Sequence, residues 1–504
     1  MISEKELLAL QNGSDVRGVA LEGVAGEPVT LSAETVNRIA AAFVAFLAKK
    51  TGRPPENLTI AVGTDSRLTA AALQNAALSA VLGCGAKALD CGMASTPAMF
   101  MAILFDETKA DGSIMLTASH LPFNRNGMKF FTRDGGLEKA EIKALLLQAA
   151  ACQPQNGRRE KAVSCDLISR YAKHLQEKIR QGLQAAEDAK PLTGMHVVVD
   201  AGNGAGGFFA SRVLLPLGAD ITGSLYLEPD GRFPNHVPNP ENAAAMAAIQ
   251  GAVLQSRADL GLIFDTDVDR MSAVLPDGKE ISRNALIAMM AAILAPDYPG
   301  GTIVTDSVTS DELTIFLEHE LGLRHHRYMR GYKNVIDECI RLNQAGTVSP
   351  LAIETSGHGA LRENYYLDDG AYLAVKLLIA AARMHQNGKP LGTLIAKLGA
   401  PAESREFRLA IRNAGDARAY GDAVLAAFAE RAAAAGIAAA QPSYEGVRLL
   451  FPQGWALLRM SLHDPNMPLN VEGRAPGSMA AIVCQLKNFL TGFEALDTRP
   501  LDQF

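Results

Sequence analysis

Three times along the chain, a short apolar or β-branched run ends in a polar turn. A second run of the same kind follows roughly 50 to 65 residues later, the length of a βαβ unit with its neighbours. The first pair is Leu58–Val62, ending in Gly63-Thr64-Asp65-Ser66-Arg67, and Gly112–Leu116, ending in Thr117-Ala118-Ser119-His120. The second is Met195–Val199, ending in Asp200-Ala201-Gly202-Asn203-Gly204, and Leu260–Phe264, ending in Asp265-Thr266-Asp267-Val268-Asp269-Arg270. The third is Gly301–Val304, ending in Thr305-Asp306-Ser307, and Pro350–Ile353, ending in Glu354-Thr355-Ser356-Gly357-His358. Helix-length Ala/Leu/Lys/Glu segments lie between them, which predicts α/β units whose polar loops sit at the carboxyl ends of strands, where α/β sheets bind ligands. The tail differs: an Ala-rich helix over Gly421–Ala440, strands at Gly446–Phe451, Gly454–Arg459 and Asn470–Glu472, and a closing helix over Ser478–Leu490 predict a smaller α+β domain.

At 504 residues the chain has room for three or four such domains. The formal charge, 48 − 54 = −6, supplies no basic field for general binding to nucleic acid or to an anionic membrane. The longest apolar run, Ala285–Pro296, is too short to span a bilayer and reads as a buried helix. The opening Met1-Ile2-Ser3-Glu4-Lys5-Glu6 lacks a secretory pattern, and six scattered cysteines with no Cys-x-x-Cys pair predict buried free thiols in a reducing, cytoplasmic setting.

The sharpest chemical signal is the carboxylate run after Phe264. In an extended loop Asp265, Asp267 and Asp269 would point the same way, so three hard oxygen ligands could converge on one cation, with Mg²⁺ the best match. An EF-hand would need Gly and Glu where Arg270 and Pro276 stand. A haloacid-dehalogenase motif would need Thr or Val where Asp269 stands. Ser119, followed by Asn126, Gly127 and Lys129, could act as a nucleophile or carry a phosphoryl group, and its chain neighbour His120 is badly placed as a triad base. Glu354, Ser356 and His358, interleaved with Gly357 and Gly359, suit sugar hydroxyls. Arg459, Ser461 and His463 would share one face of a strand able to grip phosphate.

Gly202-Asn203-Gly204-Ala205-Gly206-Gly207 satisfies a dinucleotide fingerprint, but Asp220 precedes the expected strand Ile221–Leu227 instead of ending it. Gly278-Lys279 and Gly388-Lys389 are followed by Glu280 and Pro390, so neither makes a Walker loop. Leu323 stands where a zincin begun by His319-Glu320 needs its second histidine.

These segments, in this order, resemble the α-D-phosphohexomutase superfamily over nearly the whole chain. Ser119 with Asn126, Gly127 and Lys129 resembles its phosphoserine loop, Asp265–Arg270 its magnesium loop, Glu354–His358 its sugar loop, and Arg459–Pro465 its phosphate loop. Ser14–Gly18, Pro229–Gly231, Phe233–His236 and Arg330–Lys333 are further matches. The resemblance implies three similar α/β domains with mixed sheets plus a smaller C-terminal α+β domain around a central cleft. Boundaries are expected at 1–165, 166–285, 286–398 and 399–504. It also implies a phosphorylated Ser119 held on Mg²⁺ with Asp265, Asp267 and Asp269. Lys129 would be general acid or base, with His358 and Arg17 as helpers. Arg270, Arg330, Lys333, Glu354, Ser356, Arg459, Ser461 and His463 would bind substrate.

The implied reaction exchanges hexose 1- and 6-phosphates, of glucose or mannose, through a 1,6-bisphosphate that also serves as activator. Phosphoglucosamine mutase is the nearest alternative, because it carries a similar sugar loop; a non-catalytic sugar-phosphate-binding relative is the other. The expected partner is a small sugar phosphate. Departures from the family pattern are Leu121, Thr266, Ile353, His463 and Asp464.

Overall fold

The computed structural model describes residues 2–461 and 464–503. The chain forms two compact units, one of 1–293 with 356–394 and one of 294–355 with 395–504.

The first unit carries two sheets that position polar loops. The larger runs in the order Gln11–Asn12, Asp15–Val19, Arg125–Thr132, Gly112–Leu116, Thr59–Thr64, Lys87–Met93, Val163–Ser164. It is mixed: Thr59–Thr64 pairs in parallel with both its neighbours, while Arg125–Thr132 is antiparallel to Gly112–Leu116 and to Asp15–Val19. Helices Ala33–Thr51, Ala70–Gly83 and Lys139–Ala151 bury Phe43, Val81 and Leu145 against Ile60, Val62, Ile114 and Phe130 in one core. Helix Ala33–Thr51 starts where Ser32 accepts a hydrogen bond from Thr35 N, a cap worth about 1 kcal/mol, and stops at Gly52 in the left-handed region.

The second sheet runs Glu280–Ile281, Met271–Val274, Leu260–Phe264, Val197–Asp200, the last two strands parallel and the others antiparallel. Residues 265–270 are therefore the turn of a hairpin between Leu260–Phe264 and Met271–Val274. Helix Asn284–Leu294 coincides with the long apolar run. An antiparallel pair, Gly359–Leu361 with Leu367–Asp368, and helix Gly370–Gln386 complete the unit.

In the second unit Arg324–Arg327, Thr302–Thr305 and Leu351–Ile353 form parallel neighbours. A five-stranded antiparallel sheet runs Glu403–Ala410, Asn466–Gly473, Gly454–Leu458, Val447–Phe451, Ala438–Ala439, and its core includes residues of helices Ala417–Ala434 and Ser478–Phe489. In all three repeats the two strands read from sequence lie side by side and parallel.

Three expectations are corrected. Ile221–Leu227 forms no strand. A turn closed by Ser224 N on Ile221 O, with Gly223 at φ 87°, leaves only single bridges at Asp220 and Leu225. The Ala-rich helix is Ala417–Ala434, begun by the Asp416 cap and followed by Gly436 at φ 76°. Only Cys91 and Cys339 are buried; Cys84, Cys152 and Cys165 are half-buried and Cys484 is exposed. Among the described residues no helix is long and apolar enough to cross a membrane.

Candidate active site

Ser119 follows the central strand Gly112–Leu116 at its carboxyl end, beside the loop that follows Thr59–Thr64. These strands run parallel, and their loops meet: Thr117 Oγ1 donates to Asp65 Oδ2 at 2.7 Å and accepts from Ser119 N at 3.0 Å. Arg67 is buried, and its guanidinium donates to the carbonyls of Ser119, Leu121, Pro122 and Arg125 while pairing with Asp65 at 3.2 Å. A cation with its donors spent on four carbonyls fixes the loop's backbone, and it leaves Ser119 in the left-handed region at φ 49°, unusual for a residue with a Cβ.

The Ser119 hydroxyl donates to Asp265 Oδ2 at 2.9 Å and accepts from Arg270 at 2.8 Å. Asp265, Asp267 and Asp269 are wholly buried, and each offers an oxygen within 4.8 Å of the others. They do not converge through an extended loop. The hairpin turn curls, with Val268 N on Asp265 O at 3.4 Å, Arg270 N on Asp265 Oδ1 at 3.2 Å and Val268 at φ 68°. A β-branched residue in that region is strained, so the turn is held by its surroundings. Thr96 supplies part of that hold, its N–H donating to Asp267 O at 2.8 Å and its hydroxyl to Asp267 Oδ2 at 2.5 Å. From the other side Met271 N reaches Gly357 O and Gly370 N reaches Val268 O.

The charges around the trio are laid out unevenly. Lys129 pairs with Asp269 and lies 3.3 Å from Asp267. Burial works to raise all three carboxyls, but for Asp267 the Lys129 charge and the Thr96 hydroxyl outweigh it and hold the value low. For Asp265 the neighbouring Asp269 and Asp267 add to that rise and leave its pKa well above the usual value. For Asp269 the charges of Lys129, His358 and Arg270 outweigh burial and hold it low. His358 Nδ1 sits 2.7 Å from Asp368 Oδ2 and 3.8 Å from Asp269 Oδ1. Burial would lower its pKa, but these two carboxylates lift it to about 9. His120 is pushed the other way, to about 3, by burial and then by Arg270 and Arg17, so it is a neutral imidazole 3.4 Å from Ser119 Oγ.

Three buried carboxylates with hard oxygens, two of whose atoms (Asp267 Oδ1 and Asp269 Oδ1) accept no hydrogen bond, fit a divalent cation such as Mg²⁺. Arg17 acts on Asp267 through its charge. It donates to Thr117 O at 2.8 Å and pairs with Asp15, bracing the serine loop. Ser356 is buried in the same unit.

The second unit gathers another set. Glu354 Oε1 accepts from Gly331 N at 2.6 Å, and Arg330 N donates to Glu445 Oε2 at 3.0 Å. The Arg330 and Arg459 guanidinium groups both lie 3.9 Å from Glu406, and Arg459 is 3.6 Å from Glu445. Lys333 pairs with Asp337 one helical turn on. Arg459 and Ser461 are not on a strand face. The strand ends at Leu458, and Ser461 lies in the connection to Asn466–Gly473, accepting from Asp464 N at 3.3 Å. His463 lies outside the described residues.

Sequence reasoning did not single out Arg67, Thr96, Asp368, Glu406 or Glu445, and it set His120 aside as a triad base. Arg67 had a signal, its place in a polar loop at a strand end, and so did His120 beside Ser119; Thr96, Asp368, Glu406 and Glu445 carry none, since each meets its partner only through the fold.

Gly204 explains the glycine-rich run that imitates a dinucleotide loop. A Cβ there would lie 2.6 Å from Thr266 O and 2.7 Å from Thr266 Cα, and Ala205 N donates to Thr266 O at 2.8 Å. Gly204 thus admits the acidic turn at Thr266.

Three family models match in order: phosphoglucomutase/phosphomannomutase α/β/α domain I at residues 9–152, domain II at 169–278 and domain III at 282–400. Among curated relatives, a Pseudomonas putida phosphomannomutase/phosphoglucomutase is 30% identical over 92% of this chain and 93% of its own length. A Neisseria meningitidis phosphoglucomutase is 27% identical over 93% and 94%. A crystal structure of a phosphoglucomutase/phosphomannomutase family protein from Burkholderia thailandensis superposes with a TM-score of 0.78 at 26% identity, covering 99% of this chain and 100% of the other. Matches of that extent, over a chain whose serine and acidic loops are in hydrogen-bond contact, lead to one assignment: the chain belongs to the phosphoglucomutase/phosphomannomutase family within the α-D-phosphohexomutase superfamily and is a mutase enzyme.

Proposed function

We propose that the protein interconverts hexose 1-phosphate and hexose 6-phosphate, of glucose or mannose, through a phosphorylated Ser119 and a hexose 1,6-bisphosphate. The observation that carries this reading is the Ser119 hydroxyl, 2.8 Å from the Arg270 guanidinium and 2.9 Å from Asp265 in a buried acidic trio. Mg²⁺ bound by Asp265, Asp267 and Asp269 would supply charge to offset the transferring phosphoryl group. Arg270 contributes the same kind of stabilisation from a fixed position, at no cost in reorganisation when charge develops.

In the forward step the sugar hydroxyl attacks phosphorus, the bond from phosphorus to Ser119 Oγ breaks, and the hydroxyl proton ends on the Ser119 oxygen that leaves. The returning step reverses this with the sugar's other phosphate. Lys129, against Asp267 and Asp269, is the group assigned to move that proton, and His358, held protonated by Asp368 and Asp269, supports it. His120 and Arg17 position the serine loop. Glu354 and Ser356 are assigned to sugar hydroxyls, and Arg330, Lys333, Arg459 and Ser461 to the non-reacting phosphate. The relatives' names, which join phosphomannomutase with phosphoglucomutase, support a dual substrate.

A coupled assay of glucose, mannose and glucosamine 1-phosphates with Mg²⁺ and a trace of bisphosphate tests this. Glucose or mannose 1-phosphate should turn over, and Ser119→Ala should lose activity by at least about a thousandfold. Full turnover by that variant overturns the phosphoserine role, and turnover confined to glucosamine 1-phosphate selects a phosphoglucosamine mutase instead.

A further inference from the structure

Away from the serine and the aspartates, two cysteines face each other across a strand pair. Strands Lys87–Met93 and Val163–Ser164 run parallel with Leu89 opposite Val163 and Asp90 opposite Ser164, and Cys165 N donates to Asp90 O at 2.9 Å. The next position in this register sets Cys91 beside Cys165. Paired strands lie about 4.8 Å apart, inside the roughly 4.4–6.8 Å between Cα atoms that a disulfide spans. Each thiol is near enough to bear on the other's acidity. Both line one cavity of about 700 Å³, shared with Arg159 and Arg212, so small solutes have room to reach them.

We propose that Cys91 and Cys165 are a peroxide-sensitive dithiol, with Cys165 the attacking sulfur and Cys91 the resolving one.

The assignment of roles follows from their surroundings. Cys91 is 5% exposed and Cys165 is half-buried. The neighbouring Cys91 thiol and the Arg170 guanidinium hold the Cys165 thiol below its ordinary value, while the neighbouring Cys165 and burial push Cys91 up. The Cys165 thiolate attacks one peroxide oxygen, the O–O bond breaks, and the departing hydroxide takes a proton to become water. The resulting sulfenic acid is attacked by the Cys91 sulfur, which loses its proton as a second water leaves. Two thiols thus give up two electrons and two protons, and one hydroperoxide is reduced.

The product would close a loop from 91 to 165 that contains Ser119. It would also tie Cys165, next to the Asp166 cap of helix Leu167–Gly182, to the strand that leads through Ser95 to Thr96 and Asp267. Oxidation should therefore raise the melting temperature, and reductant should reverse it. The half-buried Cys84 and Cys152 serve as an internal control, since burial raises both thiols.

The full chain is treated with hydrogen peroxide, free thiols are alkylated, and non-reduced peptides are mapped by mass. The expected result is a dithiothreitol-reversible Cys91–Cys165 link formed before any modification of Cys84 or Cys152. In Cys91→Ser, dimedone should trap a sulfenic acid at Cys165, and in Cys165→Ser the link and the adduct should both be missing. Wild-type protein in which Cys91 and Cys165 are both still alkylated while Cys484 is oxidised overturns the proposal. So does a link from Cys165 to another cysteine, or the absence of a dimedone adduct in Cys91→Ser. Should Cys91→Ser fail to fold, Cys91→Ala replaces it and the wild-type map still decides.

Discussion

Single residues at the serine loop are constrained by backbone as much as by chemistry. A Cβ on Gly127 would lie 2.3 Å from Val16 O and 2.6 Å from Thr117 O, two carbonyls locked in sheet pairing and loop geometry. Gly127→Ala should therefore cost about 2–3 kcal/mol, read as a lower denaturation midpoint. Turnover should drop as well, because the same push reaches Arg17 and Thr117; an unchanged midpoint would mean the carbonyls can move. A second residue reports on pH. His236 Nε2 lies 2.9 Å from Asp200 Oδ2, and although burial lowers the imidazole pKa, that carboxylate carries it above 6.5. A raised folded value stabilises fully below the unfolded pKa and is lost as pH rises through the folded one. The stability advantage of wild type over His236→Gln should thus be complete below pH 6.5 and fade above it, as measured by urea denaturation across pH. A difference that stays flat with pH would assign His236 a packing role only.

At the level of elements, Asp369 is a hub. It caps helix Gly370–Gln386 by accepting from Tyr372 N at 2.8 Å, accepts from Asn364 at 2.9 Å, and accepts from the Tyr171 hydroxyl of helix Leu167–Gly182 at 2.6 Å. Tyr171→Phe keeps the ring and removes that donor, so unfolding free energy should drop by about 1–3 kcal/mol with little change in KM. A loss under about half that size would show the carboxylate re-pairing. Elements of this kind were partly legible in the sequence. The three strand pairs could be read because buried parallel strands are continuous apolar runs and polar turns mark their ends. The acidic run revealed three carboxylates that the fold brings together, but not their shape: alternation suggests an extended loop, whereas the pairing of Phe264 with Met271 makes it a hairpin. Arg67 and Asp368 stayed hidden because their roles depend on carbonyls and an imidazole brought near only by folding. The strand expected at Ile221–Leu227 was lost to a turn at Gly223, and Thr222-Gly223-Ser224 carried that signal in the sequence.

For the molecule as a whole, three carboxylates buried together repel one another, and a bound cation relieves that repulsion only in the folded state. Mg²⁺ should raise the melting temperature of the chelator-stripped protein, by mass action about 2.7 kcal/mol at a hundredfold excess over Kd, and restore its turnover. Asp267→Asn should lose most of both effects; a metal-independent melting temperature in the wild type would count against a cation site. The first unit is also assembled from two stretches of chain, with 356–394 arriving after a long excursion. During synthesis, Ser119 and the aspartates emerge from the ribosome well before His358 and Asp368. A nascent chain halted after Ile293 would hold the Ser119 hydroxyl and the acidic trio without the imidazole–carboxylate couple that flanks Asp269, so a truncated translation product would lack charges that hold Asp269 low.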